Sequence, residues 1–93
     1  MSAISGQKTV AAAGTAVALG TAVINGPLIV KALDGNAGLV YLGNDGAGDV
    51  TSSNGLALAG GDMVVFEYVS ALSALILDAA NNDDGVSWCY LNV

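Results

Sequence analysis

Short apolar runs alternate along the chain with clusters of Gly, Asn and Asp, and this rhythm predicts strands joined by turns. Residues 28–33 and 39–43 read as two strands, and Asp34-Gly35-Asn36 between them tolerates positive φ, so the pair reads as a β-hairpin. Upstream, residues 7–12 suit a first strand. Thr15, Val17 and Leu19 then alternate with Ala16 and Ala18, giving one face of larger groups and one of methyls. A short apolar piece, Ala22-Val23-Ile24, is expected to end in a turn at Asn25-Gly26-Pro27, because proline cannot donate to a ladder.

Downstream, residues 44–55 form the longest polar stretch and read as a surface loop with a short strand around Val50. Leu56-Ala57-Leu58 reads as an edge strand. Residues 63–69 are the strongest strand, with Val64, Phe66 and Tyr68 on one face and Glu67 on the other. Residues 70–73 connect it to a strand at 74–77; the alternative is a helix over 71–80, since Leu72, Leu75 and Ile76 also fit helical spacing. Asn81-Asn82-Asp83-Asp84-Gly85 turns into a last strand, in which Val86, Trp88 and Tyr90 oppose Cys89, Leu91 and Val93. Seven or eight short strands at this spacing predict an all-β, antiparallel β-sandwich or jelly roll.

Composition narrows the functional classes. The chain has 93 residues, 54% of them hydrophobic, with a net charge of −6 from eight acidic and two basic residues. Such a length makes one domain, at residues 7–93, behind a flexible arm at residues 1–6. Two lysines cannot supply the cations that phosphate neutralisation needs, so no nucleic-acid partner is expected. Residues 9–30 carry no charge, but Gly, Thr, Asn25 and Pro27 interrupt them, and no membrane span is expected. Small size, little charge and much apolar surface together suggest that surface is buried against further copies or a shell.

Four stretches in order carry a resemblance: Ala13-Gly14-Thr15-Ala16-Val17-Ala18-Leu19; Gly35-Asn36-Ala37-Gly38-Leu39-Val40-Tyr41-Leu42-Gly43; Val50-Thr51-Ser52-Ser53-Asn54-Gly55 with Leu58 and Gly60-Gly61-Asp62; and Gly85-Val86-Ser87-Trp88. From about Lys8 onward the chain resembles the small β-sandwich structural proteins of tailed bacteriophages, which serve as capsid decoration (cement) proteins or head-fibre modules. The resemblance implies a non-enzymatic virion protein, made in the host cytoplasm, that binds the outer surface of the phage head as a homotrimer with the major capsid protein as partner. The alternative is a receptor- or glycan-binding module of a fibre or tail appendage, using residues 44–55 and exposed aromatics.

Candidate chemistry is sparse. Asn44-Asp45-Gly46-Ala47-Gly48-Asp49 looks like a calcium loop but lacks the distal bidentate Glu, so Asp45, Asp49, Asp83 and Asp84 read as turn formers and solubility charges, with no metal and no cofactor. Cys89 reads as a buried structural thiol, because the chain has no His to take its proton. Ser5-Gly6-Gln7-Lys8 spells Ser-x-x-Lys without its companion motifs, a coincidence. Phe66, Tyr68, Trp88, Tyr90 and Tyr41 read as sandwich filling rather than a sugar-binding surface. In the arm, Ile4 is an apolar anchor and Lys8 a charge for an acidic partner, so Ser2, Ile4, Gln7 and Lys8 are the candidate capsid-binding residues. Deleting residues 2–7 is expected to leave the unfolding midpoint nearly unchanged.

Overall fold

Strands with alternating apolar groups need a second sheet to bury them, and the chain supplies both sheets. The computed structural model describes residues 4–90. Eight strands, β1 (Ser5–Thr9), β2 (Val17–Ala18), β3 (Val23–Ala32), β4 (Val40–Gly43), β5 (Leu56–Leu58), β6 (Met63–Ala71), β7 (Ile76–Ala79) and β8 (Gly85–Tyr90), form two antiparallel four-stranded sheets. The first sheet has the order β1-β8-β3-β6 and the second β2-β7-β4-β5. First pairs with last, second with seventh, third with sixth and fourth with fifth, and alternate pairs fall in opposite sheets. This is the winding of a jelly roll. Leu28, Val30 and Ala32 of β3 meet Val40 and Leu42 of β4, Leu77 and Ala79 of β7, and Val86 and Tyr90 of β8 in one core.

That winding overturns the hairpin expected at residues 28–43. β3 pairs with β6 and β8, whereas β4 pairs with β5 and β7. The Asp34-Gly35-Asn36 stretch is an arch that carries the chain from one sheet to the other. It is pinned to the turn before β8: Asn36 donates from Nδ2 to the Gly85 carbonyl and accepts the Gly85 N–H, both at 2.9 Å, while Ala37 and Gly38 each donate an N–H to Asp84 at 2.9 Å.

The turn expected at Asn25-Gly26-Pro27 is instead an irregularity inside β3. Register runs Val23 opposite Ala71, Gly26 opposite Val69 and Leu28 opposite Phe66, so one extra residue on β3 is followed by one on β6 and the offsets cancel. Asn25 has φ 49°, and Pro27 sits where the ladder skips. The β6 bulge reverses the in-out parity after Phe66: Val69 turns inward, and Tyr68, expected to share the Phe66 face, is 65% exposed. Its hydroxyl donates to Asn25 Oδ1 at 3.0 Å, tying the two bulges together.

Other boundaries shift. The first strand spans Ser5–Thr9 rather than residues 7–12. Helix within 71–80 is limited to one 3₁₀ turn, Leu72–Ala74, ahead of β7. Val50 lies in no strand but is buried. Its Cγ2 would stand 2.7 Å from a Cβ at Gly55 and 3.6 Å from one at Gly43, while the Gly55 position also abuts Tyr41. Tyr41 and Gly43 alternate with the core residues Val40 and Leu42, so the loop of residues 44–55 packs on the outer face of the second sheet as a third layer. β5 is the edge strand that the sequence predicts. Residues 9–30 are divided among β1, β2 and β3, and among the described residues no helix is long and apolar enough to cross a membrane.

Candidate interaction face

The first sheet has no such cover. An antiparallel sheet with one wet face normally alternates apolar-in with polar-out, yet β3 reads Leu-Ile-Val at 28–30 and β6 reads Met-Val-Val at 63–65. Ile29, Val65 and Met63 therefore point outward, the last two about 60% exposed. Register sets Ser5, Cys89, Ile29 and Val65 in one row across the four strands, with Gln7, Ser87, Lys31 and Met63 in the next. Pro27, Ile29, Val65, Cys89 and Tyr90 line an apolar depression of about 230 Å³. Val23 and Tyr68 extend the exposed apolar surface toward the bulges.

Charge is nearly absent from this face. It carries Lys31 and Glu67, whereas all seven aspartates lie in turns or in the second sheet. Lys31 reaches Asp34 at 3.5 Å with both side chains well exposed, a pairing that contributes little.

The candidate arm residues are dispersed. Ser2 lies outside the described residues. Ile4 is exposed, and its carbonyl accepts the Tyr90 N–H at 2.8 Å. Ser5 and Gly6, expected in the arm, already pair with Cys89 and Trp88. Gln7, opposite Ser87, points outward; Lys8, opposite Val86, takes the inward parity and is half-buried. Ser5 and Lys8 thus lie on opposite faces of β1 and form no Ser/Lys pair. The expected indifference of stability to loss of residues 2–7 is corrected accordingly. Such a deletion removes three of the five β1 pairs and strips Gly6 from the ring of Trp88, where a Cβ would come within 2.7 Å of Cζ2. The unfolding midpoint in a thermal melt is expected to fall by about 8 °C or more, equivalent to about 1–2 kcal/mol.

Cys89, expected to be buried, is exposed, because alternation opposes it to Trp88 and Tyr90. Those two rings stack inside at 5.8 Å between centroids. Phe66 and Trp88 pack against the core and Tyr90 is within it, which leaves Tyr68 as the aromatic that stands well out. Asp84, expected to be a solubility charge, is buried and holds the arch. Asp78, unremarked in the sequence, is also buried; its Oδ1 accepts the N–H groups of Gly14 at 3.0 Å and Ala79 at 2.8 Å.

In the calcium-like loop the side-chain oxygens are turned onto their own backbone: Asn44 Oδ1 accepts from Gly46 and Gly48, Asp45 Oδ1 from Ala47 and Asp49, and Asp49 Oδ1 from Val50. Among the described residues no three Cys, Asp or Glu side chains converge to hold a metal ion. What the arrangement offers is a broad apolar area. Its sequence signal is the outward positions Ile29 and Val65, filled by β-branched residues where a wetted strand carries polar ones. Comparison with protein-family models and with curated proteins found no match to this chain.

Proposed function

We propose that the chain is a non-enzymatic structural protein of a phage particle, a decoration protein that attaches to the outside of the head through the major capsid protein and works as a homo-oligomer. The observation that carries this reading, through its assembly into a homo-oligomer, is the uncovered, almost uncharged apolar face of the first sheet. Contiguous surface of that kind on so small a domain marks a contact with another protein. Jelly rolls serve widely in viral shells, a fold-level analogy that agrees with the resemblance carried by the turn motifs. In this reading the β1 edge, with Ile4 and Gln7 exposed and Lys8 half-buried, meets the capsid subunit. Energy gained on binding only the assembled shell adds to the work of pulling its subunits apart.

The test is co-sedimentation with expanded, undecorated heads. Wild-type protein is expected to pellet saturably, and Ile4→Asp combined with Lys8→Glu, which keeps the β1 backbone pairs, is expected to bind about tenfold more weakly or worse, as when an apolar anchor and a charge are both reversed. Wild-type protein that stays in the supernatant at every head concentration sinks the proposal.

A further inference from the structure

The uncovered face has the charge layout of a surface built to meet itself. Ile29 and Val65 lie side by side in one row. Lys31 stands two residues beyond Ile29 on β3, and Glu67 two residues beyond Val65 on β6. The strands run antiparallel, so the two charges lie on opposite sides of that row, each about 7 Å away. A two-fold axis along the row turns the sheet over and reverses the strand direction. The Lys31 side of one copy then covers the Glu67 side of the other, twice, with Ile29 and Val65 packed between.

We infer that the outer face of the first sheet binds a second copy of this chain, sheet against sheet about a two-fold axis along the Cys89-Ile29-Val65 row. The inference rests on the reading of the chain as an assembled structural protein and names the partner of that face.

Two further observations favour a copy of the chain as the occupant. Each molecule carries a net charge of −6, so two of them repel over most approaches. On this face the charges of Lys31 and Glu67 cancel, and the two-fold sets each Glu67 against the other copy's Lys31, whose exposed pairing with Asp34 of its own chain contributes little. Area also suffices: four strands at about 4.8 Å spacing and some 20–30 Å long present on the order of 500 Å² each, so two copies bury roughly the 1,000 Å² that a specific interface requires. Face-on-face use of one patch is isologous and closes at two copies. The dimer therefore replaces the homotrimer implied by the resemblance as the unit built by this face.

Sedimentation velocity from about 1 to 200 µM brackets the micromolar affinity suited to an interface of this size. The wild-type chain is expected to pass from monomer to dimer. Val65→Lys is expected to remain monomeric with an unchanged unfolding midpoint, since the side chain it replaces is exposed. Lys31→Glu and Glu67→Lys should each weaken the dimer about tenfold, and the double exchange should restore it, because opposite charges again face each other. Cys89 lies near the axis, and sheets about 10 Å apart are too distant for a disulfide, whose Cα atoms stand about 5.5–6 Å apart. A short bis-maleimide is expected to trap a covalent dimer that Cys89→Ser cannot form.

A monomer across the whole range, a trimer, association that survives Val65→Lys, or failure of the double exchange to rescue overturns the inference. Attachment to heads is read separately. A dimer that does not attach overturns the decoration reading and leaves the pairing intact; a monomer that attaches does the reverse.

Discussion

Gly85→Ala is expected to be the most destabilising single change in the chain. Gly85 opens β8 directly opposite Thr9, where the two backbones come too close for any side chain. An added Cβ would fall on the Lys8 carbonyl oxygen, 2.7 Å from Thr9 Cα and 2.9 Å from the Lys8 carbonyl carbon. All three are backbone atoms, so no rotamer change relieves the clash. Nor can β8 retreat, because the Gly85 N–H and carbonyl are both held by Asn36, and the carbonyl also accepts the Leu33 N–H at 3.0 Å. Overpacking of this kind costs about 3 kcal/mol or more, a large part of the roughly 5–15 kcal/mol that stabilises a domain. A midpoint about 15 °C lower, or insoluble protein, is the expected result by circular dichroism. A drop of less than about 5 °C would show that β1 and β8 can separate far enough to admit a methyl group.

Asp84→Ala is expected to be the next most damaging change. The carboxylate is buried, and its two oxygens take the N–H groups of Ala37 and Gly38. Truncation leaves both donors of the arch without an acceptor, and hydrogen bonds to a charged group contribute about 1.5–3 kcal/mol each. We expect a loss of about 3 kcal/mol in urea unfolding with the slope unchanged. Asp84→Asn keeps the shape but turns an NH₂ toward one of the donors, so about half that loss should remain. Asn36 fixes the same arch from the other side, and Asn36→Ala and Asp84→Ala should couple by at least about 0.5 kcal/mol in a double-mutant cycle. A loss below about 0.5 kcal/mol for Asp84→Ala would mean that the arch stands without it.

Asp84 and Gly85 sit where the last turn enters β8, and their role was hidden in the sequence. Turn chemistry at Asp34-Gly35-Asn36 marks where the chain changes direction, but it does not say which partners the flanking strands take. That depends on Asp84 and Gly85, nearly fifty residues downstream. Period-two alternation, in contrast, correctly separated Trp88 and Tyr90 from Cys89 in a strand without bulges. The apolar neighbours of Cys89 suggest an interior place for it, although the same alternation sends it outward. Tyr68 reads as inward from the sequence because a bulge depends on the partner strand and leaves no mark in β6 itself. The apolar face was legible at Ile29 and Val65, both standing where a wetted strand carries polar residues. Which sheet goes uncovered was not, since that depends on where Val50 and the polar loop around it settle.

The nested pairing of strands also bears on the order of events during folding. Among successive strands only β4 and β5 hydrogen-bond to each other. Every other pair must close a longer loop before any contact offsets the lost chain entropy, and such topologies fold in milliseconds to seconds rather than microseconds. The burden falls on β8, the last of these strands to be synthesised and an interior strand of the first sheet, between β1 and β3. Until β8 leaves the ribosome, β1 has no partner and β3 offers one open edge beside its apolar residues. Closure of the first sheet therefore waits for β8, and the nascent chain carries a sticky, half-paired β3 up to that moment.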